Sequence, residues 1–151
     1  LTDENGKEYL RILDYKTGSH ENIVNNFNNI FTRDSRHAGY YFQTFLYSLV
    51  TRKTKQPSMP VKPVLFYTAK AGREDYDPTL QIGSEDSRGD RSSIPMGPVE
   101  NIVLYEQEFV ENLNEVLREI FSPHIPFCKT SYMDACKYCD FKRLCKRNGK
   151  E

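Results

Sequence analysis

The chain has no tryptophan, and no apolar run in it approaches the ~20 residues needed to cross a bilayer as a helix. It lacks an excess of either charge, since 21 Lys+Arg balance 21 Asp+Glu. That balance excludes a wholesale polybasic nucleic-acid binder, so any contact with a phosphate backbone must come from local patches. Internal repeats and low-complexity tracts are absent, as are a secretory signal and an initiator Met, residue 1 being Leu. With 151 residues the chain amounts to one domain, large enough for a real core. Ten Tyr and nine Phe supply that core with aromatics. The four cysteines all fall between residues 128 and 145.

Asn5-Gly6 is a strong hairpin-turn signal, because both residues tolerate positive φ. The run Tyr9 to Lys16 then predicts a strand with Leu10, Ile12, Asp14 and Lys16 on one face and Leu13 and Tyr15 on the other. Pairing Glu4 with Lys7 would set Leu1 opposite Leu10 and the partner of Asp14 upstream of residue 1. The expectation is therefore a sheet entered part-way, with a short ragged hairpin as the alternative. Residues 19–36 read as a polar loop or short helix. A helix is expected from His37 to about Val50, with Tyr41, Phe42, Phe45, Leu46 and Leu49 at helical spacing. Pro57, Pro60 and Pro63 should break the chain before a strand over Val64 to Ala69. Residues 72–98, with four Gly and three Pro, read as a long loop. A second helix is expected from Val99 to Phe121, burying Tyr105, Phe109, Leu113, Val116, Leu117 and Ile120.

Asp14 and Lys16 are two apart on a strand and so point the same way. A carboxylate for Mg²⁺ or Mn²⁺ beside an ammonium for water and phosphate is a workable hydrolytic pair. Taken alone it reads better as an exposed ion pair worth under ~1 kcal/mol, because Asp-x-Lys occurs by chance in many proteins. The surroundings add weight. An apolar run ending in Asp14-Tyr15-Lys16-Thr17-Gly18, followed by a helix bearing Gln43-Thr44-Phe45-Leu46-Tyr47, closely resembles the PD-(D/E)XK nuclease superfamily, and most closely its RecB and AddB branch. The resemblance implies an α/β fold of the restriction-endonuclease type, a central mixed sheet flanked by helices with the catalytic hairpin in its middle, here truncated at the N-terminus. It implies Asp14 and the backbone carbonyl of Tyr15 as metal ligands, Lys16 as the residue that orients or activates water, and Gln43 and Tyr47 as supports of the site or the DNA. The family's further metal-binding Asp, on the preceding strand, has no match here. Asp3 lies by the turn and is a poor substitute, so the isolated chain is expected not to cut DNA.

The cysteines follow the spacing Cys128-x7-Cys136-x2-Cys139-x5-Cys145. Without a secretory signal, Cys-x2-Cys points to metal rather than a disulfide, and to a cytoplasmic setting. Zinc and iron–sulfur centres both use this pattern, zinc being the commoner structural metal. The resemblance to the AddB branch, which carries Cys-x2-Cys-x5-Cys, implies a [4Fe–4S] cluster on Cys136, Cys139 and Cys145 with a fourth ligand upstream. Cys128 is either that fourth ligand or a small buried hydrophobe.

Two stretches are basic: residues 51–73, with six Lys/Arg and no acid, and the tail from Lys129 to Glu151, with a net charge of +4. Either could line a phosphate track. His20, His37 and His124 show no ligand spacing. The chain thus divides into a nuclease-like core over 1–127 and a cysteine-rich segment of the same domain over 128–151. The implied function is metal-dependent hydrolysis of DNA, by an exonuclease acting in recombination or repair. The implied partners are DNA and a helicase subunit or attached helicase-like part, with no membrane. The alternative is a catalytically silent domain of the same fold, used for DNA binding or assembly.

Overall fold

The computed structural model describes residues 1–2, 5–32, 37–83 and 97–147. Asp3, Glu4, residues 84–96 of the expected 72–98 loop, and the tail's Lys150 and Glu151 lie outside the described residues. Strand β1 is Leu10–Lys16, β2 Ile23–Val24, helix α1 Ala38–Lys55, β3 Val61–Tyr67, β4 Gln81–Ile82, β5 Gly97–Pro98 and helix α2 Glu106–Phe121. Short 3-10 turns stand at Phe27–Ile30, Thr68–Lys70, Ile102–Tyr105 and Met133–Cys136.

Strand β1 pairs in parallel with β3, Asp14 opposite Leu65 and Lys16 opposite Tyr67. The link between them is α1, which packs on both strands and makes a β-α-β unit. A second small sheet sets β2 parallel to β4 and β4 antiparallel to β5. The mixed α/β character expected from the sequence is present, with the strands divided between two sheets. The hairpin before β1 is reduced to one bridge, Thr2 with Glu8, with Gly6 at φ +76°. Leu1 exchanges hydrogen bonds with Tyr9, not Leu10. The expected register, with Leu1 opposite Leu10, is thus off by one; its Glu4–Lys7 pair lies outside the described residues.

Helix α1 runs one turn beyond the expected Val50. Arg52, Lys53 and Lys55 favour that last turn, where cations oppose the negative end of the helix dipole. Gln56 then closes it at φ +45° just ahead of Pro57, which cannot follow a helical residue easily. The next strand begins earlier than expected, at Val61, and takes Pro63 into its ladder opposite Ile12. The second helix starts seven residues later than expected (106 − 99). Val99 is buried in extended backbone, and Asn101 accepts from Val103 N at 3.2 Å, which caps the 3-10 turn instead.

The core lies between α1, the β1–β3 pair and the start of α2. Phe45 is at its centre, 5.5 Å from Phe27 and 5.8 Å from both Tyr105 and Phe109, measured between ring centroids. Such aromatic pairs add about 0.5–1.5 kcal/mol each beyond area burial. The polar segment 19–36 contributes Val24, Phe27 and Ile30 to this core, which its Asn-rich composition concealed. The expected stripe of α2 holds only for its first turn. Tyr105 and Phe109 are buried, Leu113 and Val116 half-buried, and Leu117 and Ile120 are 40% and 44% exposed. Among the described residues no helix is long and apolar enough to cross a membrane.

Phe45→Ala should lower folding stability by about 3–5 kcal/mol in urea unfolding. Phe121→Ala, at a ring 78% exposed, should change it by less than about 0.5 kcal/mol. Equal losses would contradict this placement of the core.

Candidate active site

Side chains opposite each other in a parallel pair share a face. Asp14, Lys16, Leu65 and Tyr67 therefore all point toward α1. Tyr15, on the opposite face, is exposed and packs on Phe66 at 5.4 Å.

The Lys16 ammonium is held on three sides. Its Nζ lies 3.0 Å from Asp14 Oδ2, donates to Gln43 Oε1 at 2.7 Å, and stands 4.7 Å from the centroid of the Tyr40 ring. Gln43 in turn donates from Nε2 to Tyr47 Oη at 2.6 Å. The spacing of four puts Gln43 and Tyr47 on one helix face, and the chain of contacts runs from strand to helix through Asp14, Lys16, Gln43 and Tyr47. Tyr47 is 46% exposed, so it is a surface terminus of this chain of contacts and not a packing residue. The side chains of Asp14 and Lys16 are only 11% and 17% exposed. Charges that far from water must be paired and hydrogen-bonded to be tolerated.

Besides Tyr40, two further members of the site carried no sequence signal. Thr44 is fully buried, its Oγ1 3.2 Å from Asp14 Oδ2 and 2.8 Å from Tyr40 O. With one hydroxyl proton it can donate to only one of these at a time. Tyr67 is fully buried at the end of β3, and its Oη makes no hydrogen bond among the described residues. Burial pushes its phenol far above the ordinary range, aided by the neighbouring Tyr41, Tyr40 and Tyr76 and by Asp14. It therefore stays a neutral phenol at any working pH.

The loop after β1 is pinned against this site. Thr68 Oγ1 donates to Lys16 O at 3.3 Å, Lys70 Nζ to His20 O at 2.7 Å, and Tyr41 Oη to Glu21 O at 3.0 Å. A Cβ on Gly18 would lie 3.0 Å from His20 Cδ2, close enough that the imidazole would have to shift. The fold also brings together two histidines that sequence spacing left unrelated: the rings of His20 and His37 stack at 3.6 Å.

The donors present at β1, one carboxylate and the Tyr15 backbone carbonyl at a strand end, are hard oxygens suited to Mg²⁺ or Mn²⁺. The cysteines have the softness for zinc or iron–sulfur, but they are not gathered. All four are free thiols, and among the described residues no group of three or more His, Cys, Asp or Glu forms a metal site. Cys136 Sγ instead accepts from Arg147 Nη1 at 3.1 Å. Cys128 is exposed, so it is not the buried hydrophobe that was one expectation. The tail around it exposes Phe127, Tyr138, Phe141 and Leu144 and has no packed core to converge the thiols. The basic stretch 51–73 is largely neutralised: Lys53 pairs with Glu106, Lys62 with Glu100, Lys70 with Glu21 and Arg73 with Asp75. These ion pairs weaken its reading as a phosphate track.

Thr44→Val keeps the volume and removes the hydroxyl. It should lower stability by about 1 kcal/mol in denaturant unfolding, and an unchanged midpoint would show that the contact with Asp14 contributes nothing. A family model, that of the PD-(D/E)XK nuclease superfamily, matches residues 1–146. No curated protein and no solved structure gives a match to the chain.

Proposed function

The chain belongs to the PD-(D/E)XK nuclease superfamily, and from that premise we propose that it is the catalytic part of a metal-dependent deoxyribonuclease, of the RecB/AddB exonuclease type, serving recombination or repair beside a helicase-like partner. The observation that carries this reading is the position of Lys16, nearly buried and in contact with both Asp14 and Gln43. An ion pair serving stability alone gains little from having both charges withdrawn from water, because their desolvation offsets the attraction.

Asp14 and the Tyr15 carbonyl would hold a Mg²⁺ or Mn²⁺ ion. When bound, such an ion neutralises charge that builds on the phosphoryl oxygens and lowers the pKa of a bound water. Lys16 places a positive charge beside Asp14, where it stabilises the anionic transition state and orients the attacking water. Gln43, held by Tyr47, fixes the ammonium in that position. Thr44 fixes the Asp14 carboxylate from beneath. A single carboxylate holds Mg²⁺ weakly, so this chain by itself should cleave little, and full activity needs a further acidic ligand.

The second element of the proposal concerns the tail. Cys136, Cys139 and Cys145 bind a [4Fe–4S] cluster in the intact protein, with zinc as the alternative metal. The Cys-x2-Cys-x5-Cys spacing supports this, whereas the thiol positions in the structure do not yet form the site.

In the natural full-length protein, Asp14→Ala and Lys16→Ala should each lower Mn²⁺-dependent cleavage of an end-labelled oligonucleotide by at least about 100-fold. Gln43→Ala should lower it by less. Undiminished cleavage by the Lys16→Ala protein would refute the assignment. Protein purified without oxygen should show a broad visible iron–sulfur absorbance that Cys139→Ser removes, and a colourless, zinc-loaded sample would reject the cluster.

A further inference from the structure

One histidine stands on the helix face that carries the site. His37, Tyr40, Gln43 and Tyr47 follow one another at intervals of three and four, which lines them up along α1 from its N-cap onward. The first turn is closed by Tyr40 N and Tyr41 N, which both donate to His37 O. The Tyr40 ring meets the Lys16 Nζ at 4.7 Å from its centroid and stacks on His37 at 5.1 Å and 24°. His37 in turn stacks on His20 at 3.6 Å and 30°. His20 arrives from the loop after β1. Its ring stands edge-on to the buried Tyr67 at 5.8 Å, and its carbonyl accepts from Lys70 Nζ at 2.7 Å. The stack is therefore held from both ends, by the helix and by the loop.

Two imidazoles this close accept one proton more readily than two. A single imidazolium stacks favourably on a neutral ring and on the face of Tyr40. A second proton sets like charges 3.6 Å apart, which disfavours the doubly charged pair. The groups packed around the pair do not cancel that repulsion. Glu21, the carboxylate beside His20, is paired with Lys70 at 3.3 Å. Tyr40, Tyr41 and Tyr67 present phenol rings and no carboxylate. Lys16, reached through Tyr40, adds positive charge. Arg33, Asp34 and Arg36, just before His37 in the sequence, lie outside the described residues.

We propose that the stacked pair His20–His37 is a proton-sensitive support that holds Tyr40 against the Lys16 ammonium, which makes both histidines and Tyr40 positioning residues for Lys16. With at most one proton on the pair the stack stands. With two, the rings separate, Tyr40 loses its support, and Lys16 loses its π partner. The proposal rests on the nuclease reading for the task of Lys16, and adds to it an acid-side control set outside the reacting groups.

The test is an NMR titration of the full chain with neither DNA nor metal present. The Cε1–Hε1 signals of His20 and His37 should show the pair taking up its two protons in steps separated by at least about one pH unit. The Lys16 Cε–Hε signals, shifted by the Tyr40 ring, should move with the second step. His20→Phe keeps a ring against His37 and removes one of the two charges. It should leave the Lys16 signals near their wild-type positions at neutral pH and make them indifferent to acid. His20→Ala removes the ring, and should displace the Lys16 signals already at neutral pH. Uptake of both protons in one step, or Lys16 signals that ignore the second step, would overturn the proposal, and the wild-type titration decides both. Neither outcome touches the nuclease reading, which fails instead if cleavage survives Lys16→Ala.

Discussion

The Lys16 ammonium is the group around which the rest of the site is arranged. It sits on a strand, faces a helix, and is largely removed from water. A cation so placed is tolerated only when its partners replace the lost hydration. Asp14 supplies the counter-charge, Gln43 a carbonyl oxygen, and Tyr40 a π face. These needs set the residues of one face of α1. Position 40 must be aromatic, 43 an acceptor long enough to reach across, and 44 small enough to lie beneath Asp14 while offering a hydroxyl. A neighbouring face of the helix buries Tyr41, Phe45 and Leu49, so the contacts around Lys16 and the core packing hold the helix in one orientation.

Much of this was legible in the chain of residues, and the pattern of what was not follows from physics. The strand bearing Asp14 and Lys16 was found because alternation is a local signal, and its faces were assigned correctly. Gln43 and Tyr47 were singled out by the resemblance to the nuclease superfamily, and their spacing of four then put them on one helix face. Thr44, Tyr40, Tyr67 and the His20–His37 stack carried no such signal, because each matters through a contact between elements far apart in sequence. Boundaries failed for local reasons that propensity does not weigh: a run of cations that extended α1, a proline accepted at a strand start, and an Asn cap that delayed α2. The hairpin register is off by one, with Leu1 bonded to Tyr9 and not Leu10.

The zero net charge also has a structural meaning. The basic stretch 51–73 is not a free field: four of its six cations, Lys53, Lys62, Lys70 and Arg73, pair with Glu106, Glu100, Glu21 and Asp75. The acidic α2 supplies one of those partners. The tail remains basic and exposes Tyr138 and Phe141. The two metal chemistries expected of the chain thus differ in kind. Hard oxygens at β1 are set in place by the fold, whereas the soft thiols of the tail are not gathered into a site among the described residues.

The central claim is that the end of β1 is a divalent-cation site built on Asp14. Anomalous scattering from crystals soaked in Mn²⁺ tests it most directly. The account predicts a Mn²⁺ peak within about 2.2 Å of an Asp14 carboxylate oxygen, with Lys16 turned from that oxygen toward solvent and the peak lost in Asp14→Ala. Mn²⁺ bound only elsewhere, with the Asp14–Lys16 pair undisturbed, would contradict it.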